Sequence, residues 1–132
     1  MDEFIDAGHP VVVLGDINDG PGMDAAEFTF ARSAVELVMG SVFEPEKILK
    51  SWGGEPKWGN FGFEPSTARF TDRFTEDPVN VLIDHILVSN QFDVAGAEAH
   101  KVWNPFQFED AKPFKKLLMA ASDHFPVTLD IQ

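Results

Sequence analysis

The first strong apolar signal in this chain is Val11-Val12-Val13-Leu14, a continuous run closed by Gly15-Asp16. Such a run, rich in β-branched residues and without polar alternation, predicts a strand buried on both faces. Upstream, Phe4 to Ala7 has the look of a helix tail ended by Gly8 and Pro10. Downstream, Asp24 is placed to cap a helix from Ala25 to about Arg32. Val35 to Phe43 and Pro45 to Leu49 are further helical candidates. Ser51 to Ser66 holds four Gly, two Pro, Trp52 and Trp58, which predicts a long loop. Strands are expected at Ala68 to Phe70, at Val81 to Ser89 and, on a weaker pattern, at Val94 to Val102. Lys112 to Ala120 has the spacing of a short amphipathic helix. Phe125 to Ile131 is a closing strand, with Pro126 tolerated near its start. Strands and helices alternate without a glycine-rich phosphate loop, so a two-layer α/β piece follows.

Composition narrows the picture. The chain has 132 residues and 44% apolar content, enough for one globular unit. It carries 10 basic against 22 acidic residues, a net charge of −12, which disfavours a protein that coats nucleic acid. The cluster Lys112, Lys115, Lys116 fits the wet side of a short helix. The absence of Cys removes disulfides and thiolate metal sites and is compatible with the cytoplasm. No apolar run approaches the roughly 20 residues of a membrane span. Acidity of this order suits a divalent cation, or a small phosphorylated substrate held through one.

Three polar groups interrupt the apolar pattern. Gly15-Asp16-Ile17-Asn18-Asp19-Gly20 follows the first strand; by itself it is an ordinary strand-to-loop turn. Asp16, Asn18, Asp24 and Glu27 mimic calcium-loop spacing, but Gly20 and Pro21 stand where that loop needs an acid and a glycine, and the preceding element is a strand. Ile83-Asp84-His85-Ile86-Leu87 places a carboxylate inside an apolar strand, which is costly without a buried donor, and a histidine would serve. Alternation sends Asp84 and His85 to opposite faces, so both cannot serve one site. His85 is expected to be a satisfied or surface-facing histidine. Ser122-Asp123-His124-Phe125-Pro126-Val127 leads into the last strand; it is no serine triad, since adjacent residues cannot all converge. His124 could take Asp84 as its proton partner.

In this order, Gly-Asp-x-Asn, Ile-Asp-x-Ile-Leu and Ser-Asp-His-x-Pro-Val closely resemble the DNase-I-like endonuclease/exonuclease/phosphatase family, from about Val11 to Ile131. The resemblance implies an α+β fold, the C-terminal half of a four-layer α/β/β/α sandwich with a mixed, largely antiparallel sheet. It implies hydrolysis of phosphoesters (a nuclease, phosphodiesterase or phosphatase) with magnesium or manganese. Asp16 would orient or deprotonate the attacking water, Asn18 and His124 would contact the phosphate, Asp84 would pair with His124, and Asp123 would lie at the metal. The Asn, the metal-binding Glu and the Tyr or His that the family's first half contributes have no counterpart here. Residues 1–132 are therefore expected to be a partial domain that holds its metal weakly. The alternative is a non-catalytic fragment or interaction module. With one sheet face left bare, a homodimer stacked through that face is expected.

Overall fold

The computed structural model describes residues 1–19, 29, 33–52, 65–92 and 99–131. The expected helix from Ala25, apart from the helical Thr29, and most of the Trp/Gly-rich segment fall outside these residues. In chain order the described elements are α1 (Asp2–Asp6), β1 (Val12–Asp16), α2 (Ala34–Met39), β2 (Lys50–Trp52), β3 (Ala68–Thr71), β4 (Pro78–Val81), β5 (Asp84–Val88) and β6 (His100–Val102). A 3-10 turn (Glu109–Phe114), α3 (Lys115–Ala121) and β7 (Val127–Leu129) complete them. This is the α+β arrangement expected, and every strand pairing among the described residues is antiparallel.

Local chemistry sets the boundaries. α1 ends where Gly8 adopts φ +79, a conformation that costs glycine little, and the Gly8 and His9 N–H groups close back on Ile5 and Phe4. α2 starts in a capping box: the Ser33 hydroxyl accepts from the Glu36 N–H, and the Glu36 carboxylate accepts from the Ser33 N–H. It stops at Gly40 (φ +109), short of the expected Phe43, and leaves Val42 and Phe43 exposed. Pro45 to Leu49 forms a turn rather than a helix, because Leu49 hydrogen-bonds back to Met39 and the chain then enters β2.

The single strand expected over Val81 to Ser89 is two. β4 pairs with β3, the chain steps across Leu82-Ile83, and β5 becomes the centre of a three-stranded sheet ordered β1-β5-β2. β3–β4 and β6–β7 form separate two-stranded sheets. The one sheet that the family resemblance implied is thus, among the described residues, three small ones. The break falls where Asp84 must turn toward the chain's last segment.

β1 is also not buried on both faces. Val13 packs with Val11 and Ile17 against the cluster Ile5, Val35, Leu49 and Leu87, beneath α1 and α2. Its other face is open: Leu14 is 70% exposed and Val12 37%. β1 is an edge strand, and among the described residues α1 and α2 cover one side of it. α3 likewise has no buried residue, and Leu117 is exposed. The lysines act as surface residues: Lys112 pairs with Glu109, and Lys115 lies 4.3 Å from the centre of the Phe106 ring.

Leu49 is fully buried at the junction of the helices with the sheet. Leu49→Ala is expected to lower unfolding free energy by about 2–5 kcal/mol, the usual range for a buried leucine. Urea denaturation followed by Trp fluorescence measures it; a loss below about 1 kcal/mol would mean this cluster is not the core.

Candidate active site

Three strand-end features meet on the open face. The register places Asp16 opposite Asp84, next to the pair Leu14 and Ile86. The Ile17 N–H continues the ladder to the Ile83 carbonyl, so the ends of β1 and β5 are firmly joined. The Asp84 carboxylate then reaches the ring of His124, with its oxygens 3.0 and 3.2 Å from Nδ1. One carboxyl or imidazole atom from each of Asp16, Asp84 and His124 lies within 4.8 Å of the others. Asp84 and His124 are both part-buried, while Asp16 is exposed.

Thr67 holds this arrangement from the side. Its hydroxyl oxygen accepts the N–H groups of both Ile83 and Asp84 at 3.0 Å. Its own N–H donates to Val81, and its carbonyl accepts from the Phe125 N–H. The Asp123 carbonyl accepts from the Arg69 N–H, and Ala68 bridges to His124. The start of β3 is therefore a bracket between the strand bearing Asp84 and the segment bearing His124. The Ser122 hydroxyl accepts the His124 N–H at 3.0 Å and fixes the turn in front of the ring. Ser122 belongs to the Ser-Asp-His motif but was given no role there, and Thr67 was marked by no motif. Thr67 sits in an unremarkable Ser-Thr-Ala sequence, and its value lies in partners far along the chain.

The remaining candidates sit around this centre. Asn18 adopts φ +57, which asparagine tolerates, and its N–H donates to the Asp16 carboxylate at 2.8 Å. That turn aims Asp16 while leaving the Asn18 side chain at the surface. Asp123 is exposed beside His124. His85 turns to the opposite face, as alternation requires, and of the two expected settings it takes the buried, hydrogen-bonded one rather than the surface. Its Nε2–H donates to the Asp19 carbonyl, leaving Nδ1 without a partner among the described residues. The helix-covered side of the sheet closes over it.

Electrostatics favour a charged imidazole. Burial is the largest single influence on His124 and acts to lower its pKa. The hydrogen bond that its Nδ1–H donates to Asp84 and the charges of Asp84, Asp16 and Asp123 together outweigh it, so His124 titrates above the ordinary histidine value. With Nδ1–H directed to Asp84, Nε2 is left for another partner.

A sequence profile of the endonuclease/exonuclease/phosphatase family matches residues 1–124. The chain belongs to that family. Comparison with curated proteins and with solved structures gives no match. Membership of the endonuclease/exonuclease/phosphatase family carries phosphoesterase- or nuclease-type hydrolysis in general, usually dependent on a divalent metal. The Asp16, Asp84, His124 group is a set of donors to compare with that requirement. Two of its members are already engaged with each other, because both Asp84 oxygens face His124 Nδ1. Asp16 and Asp123 are the exposed carboxylates beside the pair, and a hard cation takes oxygen ligands of this kind. No helix among the described residues is long and apolar enough to cross a membrane.

Thr67→Val keeps the shape and removes the shared acceptor. Two buried N–H groups are then left without a partner, at about 1–3 kcal/mol each. Thr67→Val is expected to lose stability on that scale in urea denaturation, and Thr67→Ser to recover most of it. Equal stability of Thr67→Val and the parent chain would remove Thr67 from its bracketing role.

Proposed function

We propose that this chain carries a metal-assisted phosphoester-hydrolysing centre built from Asp16, Asn18, Asp84, Asp123 and His124. The observation that supports it best is the meeting of Asp16 with the Asp84–His124 pair at one end of β1 and β5. In this reading Asp16, exposed and aimed by the Asn18 turn, accepts the proton of a water that attacks phosphorus. His124 offers Nε2–H to a phosphate oxygen, while Asp84 holds Nδ1–H and keeps the ring oriented and positive. The Asn18 amide adds a second donor as negative charge builds on the phosphate. The bond from phosphorus to the leaving alcohol breaks as the water oxygen adds, in line with it.

Magnesium or manganese, held by Asp123 and Asp16, would supply positive charge over the phosphate oxygens. Two exposed carboxylates are few for a hard divalent ion, so weak binding is expected. The acidity of the chain favours a small phosphoester over long nucleic acid, which needs a basic track.

Hydrolysis of bis(p-nitrophenyl) phosphate with magnesium or manganese tests this reading. Slow, metal-dependent turnover is expected, reduced about a hundredfold or to background in Asp16→Ala and in His124→Ala. No metal-dependent turnover, or turnover that both variants retain, would favour a non-catalytic module that keeps the family fold.

A further inference from the structure

Resting on the phosphoester reading above, we propose that the cavity beside Asp84 and His124 takes a short alkyl or aryl group of the substrate, so that the preferred ligand is a small apolar phosphoester. The cavity measures about 360 Å³ and lies on the open face of β1 and β5. Its floor is Leu14 and Ile86, directly paired across the two strands. Its walls include Leu118 of α3 and Val127 of β7. Asp84 and His124 line the same cavity and, among the described residues, bring their ionisable groups to it, while the His85 ring turns to the opposite face.

The register explains why the two chemistries adjoin. Side chains two apart share a face, so Leu14–Ile86 and Asp16–Asp84 are successive pairs on one surface. A phosphate bound at His124 Nε2 would therefore have an apolar floor one residue pair away. An apolar cavity of about 150 Å³ suffices for benzene, so one ring or a short chain fits here and a two-tailed lipid does not. Small-ligand sites have this makeup: mostly apolar walls with a few convergent polar groups. A nucleotide strand calls for cationic or stacking side chains along its path; among the described residues the cavity lining holds no lysine or arginine, and its phenyl ring, Phe125, is buried. Leu14, exposed on the cavity floor, is surface that an apolar group would cover.

The test is binding of methyl-, butyl- and hexylphosphonate to the full 132-residue chain, followed by NMR. Their P–C bonds survive hydrolysis, so turnover does not enter. His124 ring signals report the head group, and Leu14, Ile86 and Leu118 methyl signals report the tail. Each buried methylene is worth up to about fourfold in affinity, so butylphosphonate should bind at least about tenfold more tightly than methylphosphonate. Leu118→Asn should shrink that ratio. If both bind equally and move His124, the apolar subsite is wrong while the phosphoester reading stands. If no phosphonate moves His124 although butanol shifts Leu118, the phosphoester reading fails and takes the proposal with it. An oligothymidylate that displaces butylphosphonate would assign the face to nucleic acid and overturn the proposal. So would a concentration-dependent dimer that buries Leu14 and Leu118 and that hexylphosphonate leaves intact.

Discussion

The site depends on the four hydrogen bonds made by Thr67. Two of them pin the N–H groups of Ile83 and Asp84, one ties Thr67 to Val81, and one receives the Phe125 N–H. Asp84 lies on β5, and His124, 40 residues on, lies ahead of β7, a strand of a separate small sheet. Without a shared anchor, a carboxylate on β5 and an imidazole ahead of β7 would have no reason to meet at 3.0 Å. Thr67 is fully buried, so each of these bonds replaces one that water could otherwise have made. The break between β4 and β5, at first sight a defect in a strong strand, is what frees the two N–H groups that Thr67 collects.

The sheet centred on β5 then divides the molecule by chemistry. Odd-numbered positions of β1 and β5 (Val13, His85, Leu87) face the helices and the core. Even-numbered positions (Leu14, Asp16, Asp84, Ile86) face the site. A carboxylate on the helix side would have to lose its hydration with no donor in reach. On the open side, Asp84 finds His124, and Asp16 keeps its water. The same partition leaves leucine and isoleucine beside the acids, so apolar surface and the Asp84–His124 pair share one face.

Much of this was legible in sequence. Gly15-Asp16, Ile83-Asp84 and Ser122-Asp123-His124 mark strand ends in a fixed order, and a carboxylate in an apolar run calls for a partner. Alternation of elements gave a two-layer α/β piece, and the α+β class followed from the family resemblance that the three motifs carry. Other features were hidden for physical reasons. Val11 to Leu14 has the composition of a doubly buried strand, but burial depends on what covers it, and α1 and α2 cover one side. Val81 to Ser89 is uniformly β-favouring, so nothing local marks the step at Leu82-Ile83; that step is imposed by Thr67 from outside the strand. Sequence left His85 either satisfied or surface-facing, because its acceptor is a backbone carbonyl at Asp19, which has no sequence signature. Asn18 was chosen for its side chain, yet its described contribution is a backbone N–H that aims Asp16.

The central claim is that Asp84 holds His124 charged and oriented at the end of β1 and β5. An NMR pH titration of the His124 ring in the parent chain and in Asp84→Asn tests it most directly. In the parent chain His124 is predicted to titrate above the ordinary histidine range. Asp84→Asn removes both the carboxylate acceptor and its charge, so the titration should move to lower pH. A His124 titration that is the same in the two proteins would contradict the account, because the imidazole would then owe nothing to the carboxylate beside it.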